Sequence, residues 1–355
     1  MSFTHTIRFG VESMVAMAFV TMLAAPAMAQ QSAAADPNPG KLTVTGGTDL
    51  LNRYMFRGIR QNSTEVVIWP YVDLGLALFA GDGGVKSIGL NVGTWNSLHT
   101  GDTGSNGPSA KLWYEGDFYT TLNLGLGQGV SVGTTYTAYT SPNSSFTSVK
   151  EVMFKVGMDD TAYLGPVALK PYVIAAFEFD TVPAVPGVAA VPGVPAVPGV
   201  PAVPAVPAAP GVPAVPAVPA VPAVPAVPAV PAVPFTPGGG QKDGGLKAGR
   251  YLELGVAPSW ASSAASVTVP IKLGLGKDYY ELNVGTAARP VFEDSNVGYF
   301  SVAAIATVPL GGTTSLGAWN LHGGLEFQML GDTTEALNGG DATRLIGSIG
   351  VGFSY

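Results

Sequence analysis

Apolar and polar positions alternate with a two-residue period over twelve segments of this chain. The alternation is clearest in 87–93, where Ile, Leu and Val occupy every second position and Ser, Gly and Asn the others. A two-residue period places successive side chains on opposite faces of a β-strand. The pattern therefore predicts an all-β chain, in which each strand has one apolar face and one polar or small face. The segments are 41–57, 64–80, 85–97, 110–124, 129–141, 147–159, 165–180, 247–260, 264–275, 297–310, 315–330 and 341–355.

The connections between these segments alternate in length. Bacterial outer-membrane barrels have an even number of strands, short periplasmic turns and long external loops. The sequence therefore predicts a transmembrane antiparallel up-and-down β-barrel of twelve strands with both termini on the periplasmic side. The short connections are 81–84, 125–128, 160–164, 261–263 and 311–314. The others are 58–63, 98–109, 142–146, 181–246, 276–296 and 331–340, and only 142–146 is as brief as the short ones.

Two alternatives to this topology remain open. Residues 279–286 have the composition of an additional strand, which leaves strand counts of ten and fourteen open. A soluble all-β fold is the second alternative, although it gives no reason for the loop lengths to alternate.

The last segment ends in an apolar face that finishes on an aromatic residue. Such a strand must be paired and covered, or closed into a barrel whose outer face meets lipid. Through Ser348, Gly350, Phe353 and Tyr355, it resembles the C-terminal assembly signal of bacterial outer-membrane barrels. The resemblance implies periplasmic chaperones and the barrel-assembly machinery as partners, with outer-membrane lipid and lipopolysaccharide around the folded protein.

The first 29 residues have the pattern of a secretory signal peptide. Arg8 precedes an apolar run over 14–25, and Ala27 and Ala29 form a small-x-small cleavage site before Gln30. A run of about a dozen residues is too short to span a membrane as a helix. We therefore expect 1–29 to be removed and 30–355 to form a barrel in the bacterial outer membrane.

The composition excludes several classes of protein. The chain has no cysteine, so sheet hydrogen bonds and burial must supply its stability. Its net charge of -7, with no basic stripe, argues against a nucleic-acid partner. The three histidines, His5, His99 and His322, lack metal-ligand spacing, so the sequence predicts no metal and no cofactor.

The insertion 181–246 differs from the rest of the chain. Proline occupies every third position from Pro183 to Pro234 except at Ala189, among Val, Ala and Gly. Proline has no N–H group, and a three-residue period matches the polyproline II helix. The pattern predicts a disordered extracellular loop, which would span roughly 160 Å if fully extended at about 3.1 Å per residue. It is interpreted either as a spacer or surface-contact arm, or as a tolerated expansion of a surface loop.

Two motifs near the start of the barrel resemble the TorF-type porin family. Residues 54–61, Tyr-Met-Phe-Arg-Gly-Ile-Arg-Gln, resemble its first-hairpin pattern Tyr-x-Phe-Arg-Gly-x-x-Gln. Residues 93–97, Gly-Thr-Trp-Asn-Ser, look like the Gly-x-Trp-x-Ser that follows in that family. Asn52 and Arg53 replace a serine of the family, and the proline-rich insertion is foreign to it. The resemblance implies a channel-like barrel and leaves its solute undefined.

An outer-membrane phospholipase is the enzyme class that a barrel brings into question. It would need a serine, a histidine and a polar orienting residue on the outer face. Alternation instead places His322 on the inward face together with Asn320, Glu326 and Gln328. No Gly-x-Ser-x-Gly elbow occurs either, so the sequence predicts a protein that is not an enzyme.

Charged residues on the inward faces indicate the character of the lumen. Arg53, Arg57 and Arg344 are predicted to gather at the outer mouth, on the first and last strands. Facing walls of opposite charge would favour small polar solutes. Direct pairing, for example of Arg344 with Glu326, would instead fill the lumen, and the residues leave both interpretations open. The opposite, acidic wall is predicted to carry Glu115, Asp117, Glu151, Glu178, Asp180 and Glu253.

We therefore expect a narrow porin-like channel for passive diffusion of small polar solutes. The alternative is a structural or surface-display barrel with a filled lumen, whose proline-rich loop mediates cell-surface contact. A twelve-stranded barrel lies between filled barrels of about eight strands and open channels of about sixteen, so strand number does not decide between them.

Overall fold

The structure is a computed structural model, and it divides into two compact units, a barrel and an inserted proline-rich hairpin. The predicted signal peptide lies outside the described residues. The described residues are 40–62, 65–101, 112–146, 148–179, 187–207, 210–211, 213, 216–233, 248–286, 291–311 and 317–355.

The barrel wall consists of twelve antiparallel strands, as the alternation predicts. The last strand pairs with both the first and the eleventh, so the sheet closes and the barrel has no open edge. The strands are β1 (Leu42–Leu51), β2 (Val67–Ala80), β3 (Val85–His99), β4 (Trp113–Leu126), β5 (Val130–Thr140), β6 (Val149–Met158), β7 (Tyr172–Phe179), β8 (Arg250–Val256), β9 (Ile271–Lys277), β10 (Val297–Pro309), β11 (Ala318–Leu330) and β12 (Thr343–Ser354).

Two prolines interrupt the wall where β8 and β9 meet. Beyond Pro258 the chain continues as Ser259–Ala261, which pairs with Ser266–Thr268 ahead of Pro270. Because proline cannot donate to a sheet ladder, each strand breaks at its proline and resumes after it. Ser266–Thr268 also pairs with β10, so the wall remains continuous.

Several predicted boundaries are wrong. The first strand ends at Leu51 and not at residue 57, because the chain then turns away from the wall. Residues Glu281–Asn283 form a separate hairpin with Phe292–Asp294 and add no strand to the barrel. The connection 159–171 is longer than predicted and contains α1 (Thr161–Leu164), whereas the last long loop contains α2 (Asp332–Leu337).

The connections fall into two groups, which define the two ends of the barrel. The short-turn end carries both chain termini of the wall and the connections 81–84, 127–129, 159–171, 262–265 and 310–317. The long-loop end is the end at which β1, β3, β5, β7, β9 and β11 finish.

The outer surface of the wall is apolar. Leu74, Leu122, Phe154 and Phe327 point outward on four strands and are 46, 43, 46 and 44% exposed. An apolar belt around a closed β-barrel with a polar lumen is the arrangement that lipid requires, so the protein is a transmembrane β-barrel. Among the described residues, no helix is long and apolar enough to cross a membrane.

The second unit contains most of the proline-rich insertion and folds back on itself. Six pairs of valines, from Val188 with Val233 to Val203 with Val218, form bridges between two antiparallel arms. Valine N–H and C=O groups bond reciprocally at 2.8–3.0 Å. The described part of the insertion therefore differs from the disordered single chain that we expected. The sequence spacing is compatible with the pairing, because proline lacks an N–H at every third position, whereas the valines, which bond, retain theirs and recur with the same period.

Candidate functional site: the lumen of the barrel

The connection after β1 folds into the lumen. Asn52 still bonds to β12, with its N–H 3.1 Å from the carbonyl oxygen of Gly347. The chain then forms a two-stranded turn in which Met55–Phe56 pairs with Ile59–Arg60. The two residues between them have positive φ values, 50° at Arg57 and 84° at Gly58. Such a turn suits a tight two-residue hairpin, and we call residues 53–62 the inner hairpin.

An ion pair anchors the tip of the inner hairpin to the opposite wall. Both terminal nitrogens of Arg57 donate to the Glu151 carboxylate of β6, at 2.6 and 2.8 Å. The Arg57 guanidinium also lies 4.2 Å from the centre of the Tyr251 ring and donates to the Tyr279 hydroxyl at 3.2 Å. The two charged side chains are 8 and 2% exposed, so this bidentate pair is shielded from solvent. The geometry fixes the hairpin tip across the lumen.

The loop that contains α2 holds the inner hairpin from a second side. The side-chain amide of Asn338 donates to the carbonyl oxygen of Gly58 at 2.8 Å, and its side-chain oxygen accepts from the Arg60 N–H at 3.0 Å. The Asn338 carbonyl oxygen in turn accepts a hydrogen bond from Arg344 of β12 at 2.8 Å. Two loops and the wall are therefore joined through one asparagine.

Aromatic side chains fill the lumen around the base of the inner hairpin. The Tyr54 ring lies 5.0 Å from Trp69 and 5.6 Å from Trp95, both of which point inward from the wall. Leu51 and Ile346 pack into the same cluster. A cavity of about 20 Å³ beside Tyr54 has room for one water molecule. The long-loop half of the lumen is closed in this structure.

The other half of the lumen is polar and accessible to water. Asp73, Asn91 and Asn123 point inward toward the short-turn end and are only half-buried. The Asn91 amide donates to Asp73 at 2.5 Å, and the Asn123 amide donates to Asn91 at 2.9 Å. These half-buried polar side chains line what we call the polar vestibule, at the short-turn end of the lumen.

The predicted basic wall is wrong in its placement. Arg53 and Arg57 lie on the inner hairpin and not on β1, because the strand ends at Leu51. Arg344 does point inward from β12, but it pairs with Asp341 at 2.5 Å and not with Glu326. Asp341 follows α2 and precedes Arg344 by three residues, and the chain between them lets the two side chains meet.

Five of the six predicted acidic residues are described, and these five are buried on the inward face, each in a different environment. Glu253 accepts hydrogen bonds from Tyr172, Tyr251 and Tyr299 at 2.8, 2.5 and 2.9 Å. Glu178 accepts one from the Gly249 N–H at 2.9 Å. Asp180 lies outside the described residues. Exposed fractions of Glu115, Asp117, Glu151, Glu178 and Glu253 are 5, 6, 2, 8 and 9%.

Two lysines among these carboxylates were missed by sequence reasoning. Lys272 of β9 lies 3.8 Å from the Glu326 carboxylate, and Lys155 of β6 lies 4.9 Å from the Tyr172 ring centre. Both share the inward parity of neighbouring lumen residues, so alternation alone could have found them. Cations and anions are therefore mixed in the lumen and do not form two opposed walls.

His99 and His322, the two described histidines, pair with residues of the barrel interior. His322 bonds through its two ring nitrogens to Asp49 at 2.6 Å and to Asn320 at 2.9 Å. His99 is the last residue of β3 and contacts the Ser97 hydroxyl at 2.9 Å. Ser97 and His99 are 0 and 2% exposed, so a substrate does not reach this pair in the structure. Within the described ranges, no group of acidic and histidine side chains is arranged to hold a metal ion.

No protein-family model matches this chain, and no curated protein matches it in sequence. This chain is similar in structure to outer membrane phospholipase A from Escherichia coli: the alignment covers 87% of this chain and 92% of that protein, at 9% identity and a TM-score of 0.36. The alignment with an outer membrane channel from Pseudomonas putida F1 covers 90% of this chain and 97% of that protein, at 8% identity and a TM-score of 0.41. The alignment with the NanC porin covers 88% of this chain and 98% of that protein, at 10% identity and a TM-score of 0.33. Similarity this low assigns no activity, and the TorF-type resemblance stays a prediction.

Proposed function

We propose that this protein is an outer-membrane channel for passive diffusion of small polar solutes, closed at its long-loop end by the inner hairpin. The observation that carries the proposal is the polar vestibule, whose half-buried side chains contrast with the buried inner hairpin in the long-loop half of the lumen. A permanently filled barrel has no need of a water-accessible half. The TorF-type motif supports the proposal, because residues 54–61, which carry the resemblance, lie within the inner hairpin.

The inner hairpin is attached in a way that permits it to withdraw. Its own backbone bonds join Met55–Phe56 to Ile59–Arg60, and none of the twelve wall strands depends on them. Its tip is held by the Arg57–Glu151 pair, whose energy depends on both partners staying charged and desolvated. Release of that pair would free the hairpin tip from β6 and leave Asn338 and the aromatic cluster as the remaining holds on the loop, while the closed sheet keeps its hydrogen bonds.

Planar-bilayer recording of the full-length folded protein tests the proposal. We expect small, infrequent current steps from the wild type and larger or more frequent steps from Glu151→Gln, which removes the charge that holds Arg57. Glu293→Gln is the matched control, because Glu293 is exposed and lies in the Phe292–Asp294 segment. Silence of wild type and Glu151→Gln alike, with folding intact, would contradict the channel.

The second candidate is a structural or surface-display barrel whose lumen stays filled. The aromatic cluster around Tyr54 favours it, as do the valines of the proline-rich hairpin, of which Val191 and Val227 are 57 and 59% exposed. An uncharged arm with exposed apolar side chains suits contact with another surface. Deletion of 187–233 should then abolish cell-surface contact and leave the bilayer currents unchanged.

A further inference from the structure

The valines of the proline-rich hairpin lie in two parallel rows. Valine recurs at every third residue of both arms, 188–203 and 218–233, and a polyproline II helix has three residues per turn. The valines of one arm therefore share one side of that arm. Residues directly opposite each other in an antiparallel pair place their side chains on the same face. The twelve bridged valines thus form one continuous surface, which we call the valine face.

The valine face is apolar and accessible to solvent. Its twelve valines are each 52–59% exposed, and residues 187–233 contain no charged side chain. Each arm is roughly 46 Å long at about 3.1 Å per residue, and two arms at the spacing of a sheet are about 10 Å wide. The valine face therefore covers on the order of 500 Å², whereas soluble proteins seldom expose apolar patches above a few hundred Å² without a binding partner.

The backbone of the valines takes no part in binding a partner. Each bridged valine already bonds to the opposite arm through both its N–H and its C=O group, as Val194 does with Val227 at 3.0 Å. Addition of a further strand to a free edge would need such groups to be unpaired. A partner of the valine face must therefore pack against its side chains.

We propose that the valine face binds the valine face of a second copy of this chain. Its valines repeat about every 9 Å along each arm, the rise of three residues in polyproline II. A second copy has the same repeat, so the valines of the two faces can interdigitate over their whole length, as identical side chains do between paired sheets. The lack of charge within 187–233 removes the electrostatic repulsion that identical surfaces otherwise have.

The size of the valine face suits a reversible contact. Two copies together would bury on the order of 1,000 Å², which is near the lower limit for a specific protein interface. One pair of hairpins would therefore associate weakly, and many copies in one membrane would associate more strongly through multivalency. The contact requires neither an open nor a filled lumen, so it stands or falls independently of the channel proposed above.

Sedimentation velocity of the full chain, held as single copies in lipid nanodiscs, tests the contact, because separate discs prevent the barrels from pairing within one membrane. We expect wild-type discs to pair reversibly as their concentration rises. A variant with four threonines should pair at least about tenfold more weakly, because threonine keeps the shape and the backbone N–H of valine but adds a hydroxyl group. The four changes, each in a different bridged pair, are Val191→Thr, Val197→Thr, Val221→Thr and Val227→Thr.

Isoleucine at the same four positions is the matched control. It keeps the apolar face and the ladder, so pairing of the discs should be retained. Slow amide exchange at the four positions verifies that the ladder is intact in both variants.

Three results would overturn the contact. The first is the lack of pairing by wild-type discs whose ladder is intact, and the second is pairing that persists after deletion of 187–233. The third is equal weakening by the threonine and isoleucine variants, which would show that pairing does not depend on an apolar face. Unpaired discs whose valine face becomes protected only when lipid is present would assign the face to the membrane surface.

Discussion

At the scale of single residues, Gly350 shows how much one missing side chain decides. It lies on β12 between Asp49 of β1 and His322 of β11, opposite both in the strand register. His322 and Asp49 meet across it at 2.6 Å. A Cβ atom at Gly350 would collide with both of them. This glycine of the assembly signal therefore has a second role in the folded lumen, where it lets two strands bond across the strand that closes the barrel.

We expect Gly350→Ala to destabilise the folded barrel by about 1–3 kcal/mol, because it separates a buried hydrogen-bonded pair. The free energy of unfolding in denaturant, measured in lipid vesicles, checks this. Gly89→Ala is the control, since its added Cβ would meet only the Leu76 carbonyl oxygen, at 3.7 Å. Equal losses from the two substitutions would show that the His322–Asp49 contact does not stabilise closure.

Arg57 marks the limit of prediction from alternation. A strict two-residue period places it on β1, opposite an outward Tyr54 and Phe56. The structure gives Arg57 a positive φ of 50° and buries Tyr54 at 3% exposure inside the lumen. Non-glycine residues seldom adopt positive φ, so only Gly58 signals a turn in the sequence. Apolar residues on both faces of 50–56 are the other signal, because a wall strand would keep one face polar.

At the scale of elements, the proline-rich hairpin is the clearest difference from expectation. Its ladder uses one residue in three, with Val197 bonded reciprocally to Val224 at 3.0 Å. The structure gives no hydrogen bond to the Ala196 N–H within the described part of this unit. Composition predicts a three-residue period but not the pairing, because a periodic donor needs a partner arm of the same period, and only the fold supplies that register.

We expect amide hydrogen exchange to slow at every third residue of the two arms, the valines, by at least about tenfold over the intervening alanines and glycines. Mass spectrometry with residue-level fragmentation measures this. Val197→Pro should release the local ladder, whereas Ala196→Pro should leave it intact, since only the valine amide is bonded. Uniformly fast exchange along 188–233 would mean that the arms are unpaired in solution.

The closing strand supports a second element-scale prediction. Phe353 lies near the end of β12, and Tyr355, the residue just beyond the strand, exchanges backbone bonds with Val44 of β1 at 2.6 and 2.7 Å. Deletion of 353–355 removes these bonds together with the aromatic end of the assembly signal. We expect the truncated protein to remain in the periplasm, as measured by cell fractionation. A heat-modifiable band in the outer membrane after the deletion would contradict this.

At the scale of the whole molecule, the two faces of the wall should respond oppositely to charge. Val92 points outward and is 51% exposed, whereas Asn91 points into the vestibule beside Asp73. We expect Val92→Lys to cost about 2–4 kcal/mol near the bilayer midplane. Asn91→Lys should cost less than about 1 kcal/mol, because water and Asp73 stabilise the ammonium group. Similar unfolding free energies for the two variants would mean that the faces are reversed.

The closed wall could be predicted from the sequence because the two-residue period of a strand is a local pattern. The position of the inner hairpin across the lumen could not. Each strand's pattern is visible within seven to fifteen residues, and the twelve strands follow. The inner hairpin instead contacts residues that are far from it in the chain, as Arg57 does with Glu151 and Gly58 with Asn338. Those contacts depend on closure of the barrel, which brings opposite walls together around one loop.

The Arg57–Glu151 ion pair of the inner hairpin should affect both the conductance and the ion selectivity of the channel. Arg57→Gln and Glu151→Gln each remove one side of the same pair, so each should loosen the inner hairpin and raise conductance. The charge left behind differs, because the first leaves an uncompensated carboxylate and the second an uncompensated guanidinium. In a lumen of low dielectric these charges act strongly on passing ions.

We therefore expect the reversal potential in a salt gradient to shift toward cations with Arg57→Gln and toward anions with Glu151→Gln. The double variant Arg57→Gln/Glu151→Gln should conduct at least as well as either single change and return near the wild-type selectivity. Shifts in the same direction for both single variants would place the selective charge elsewhere in the lumen. Unchanged conductance in all three variants, with folding intact, would mean that the ion pair does not hold the inner hairpin in the lumen.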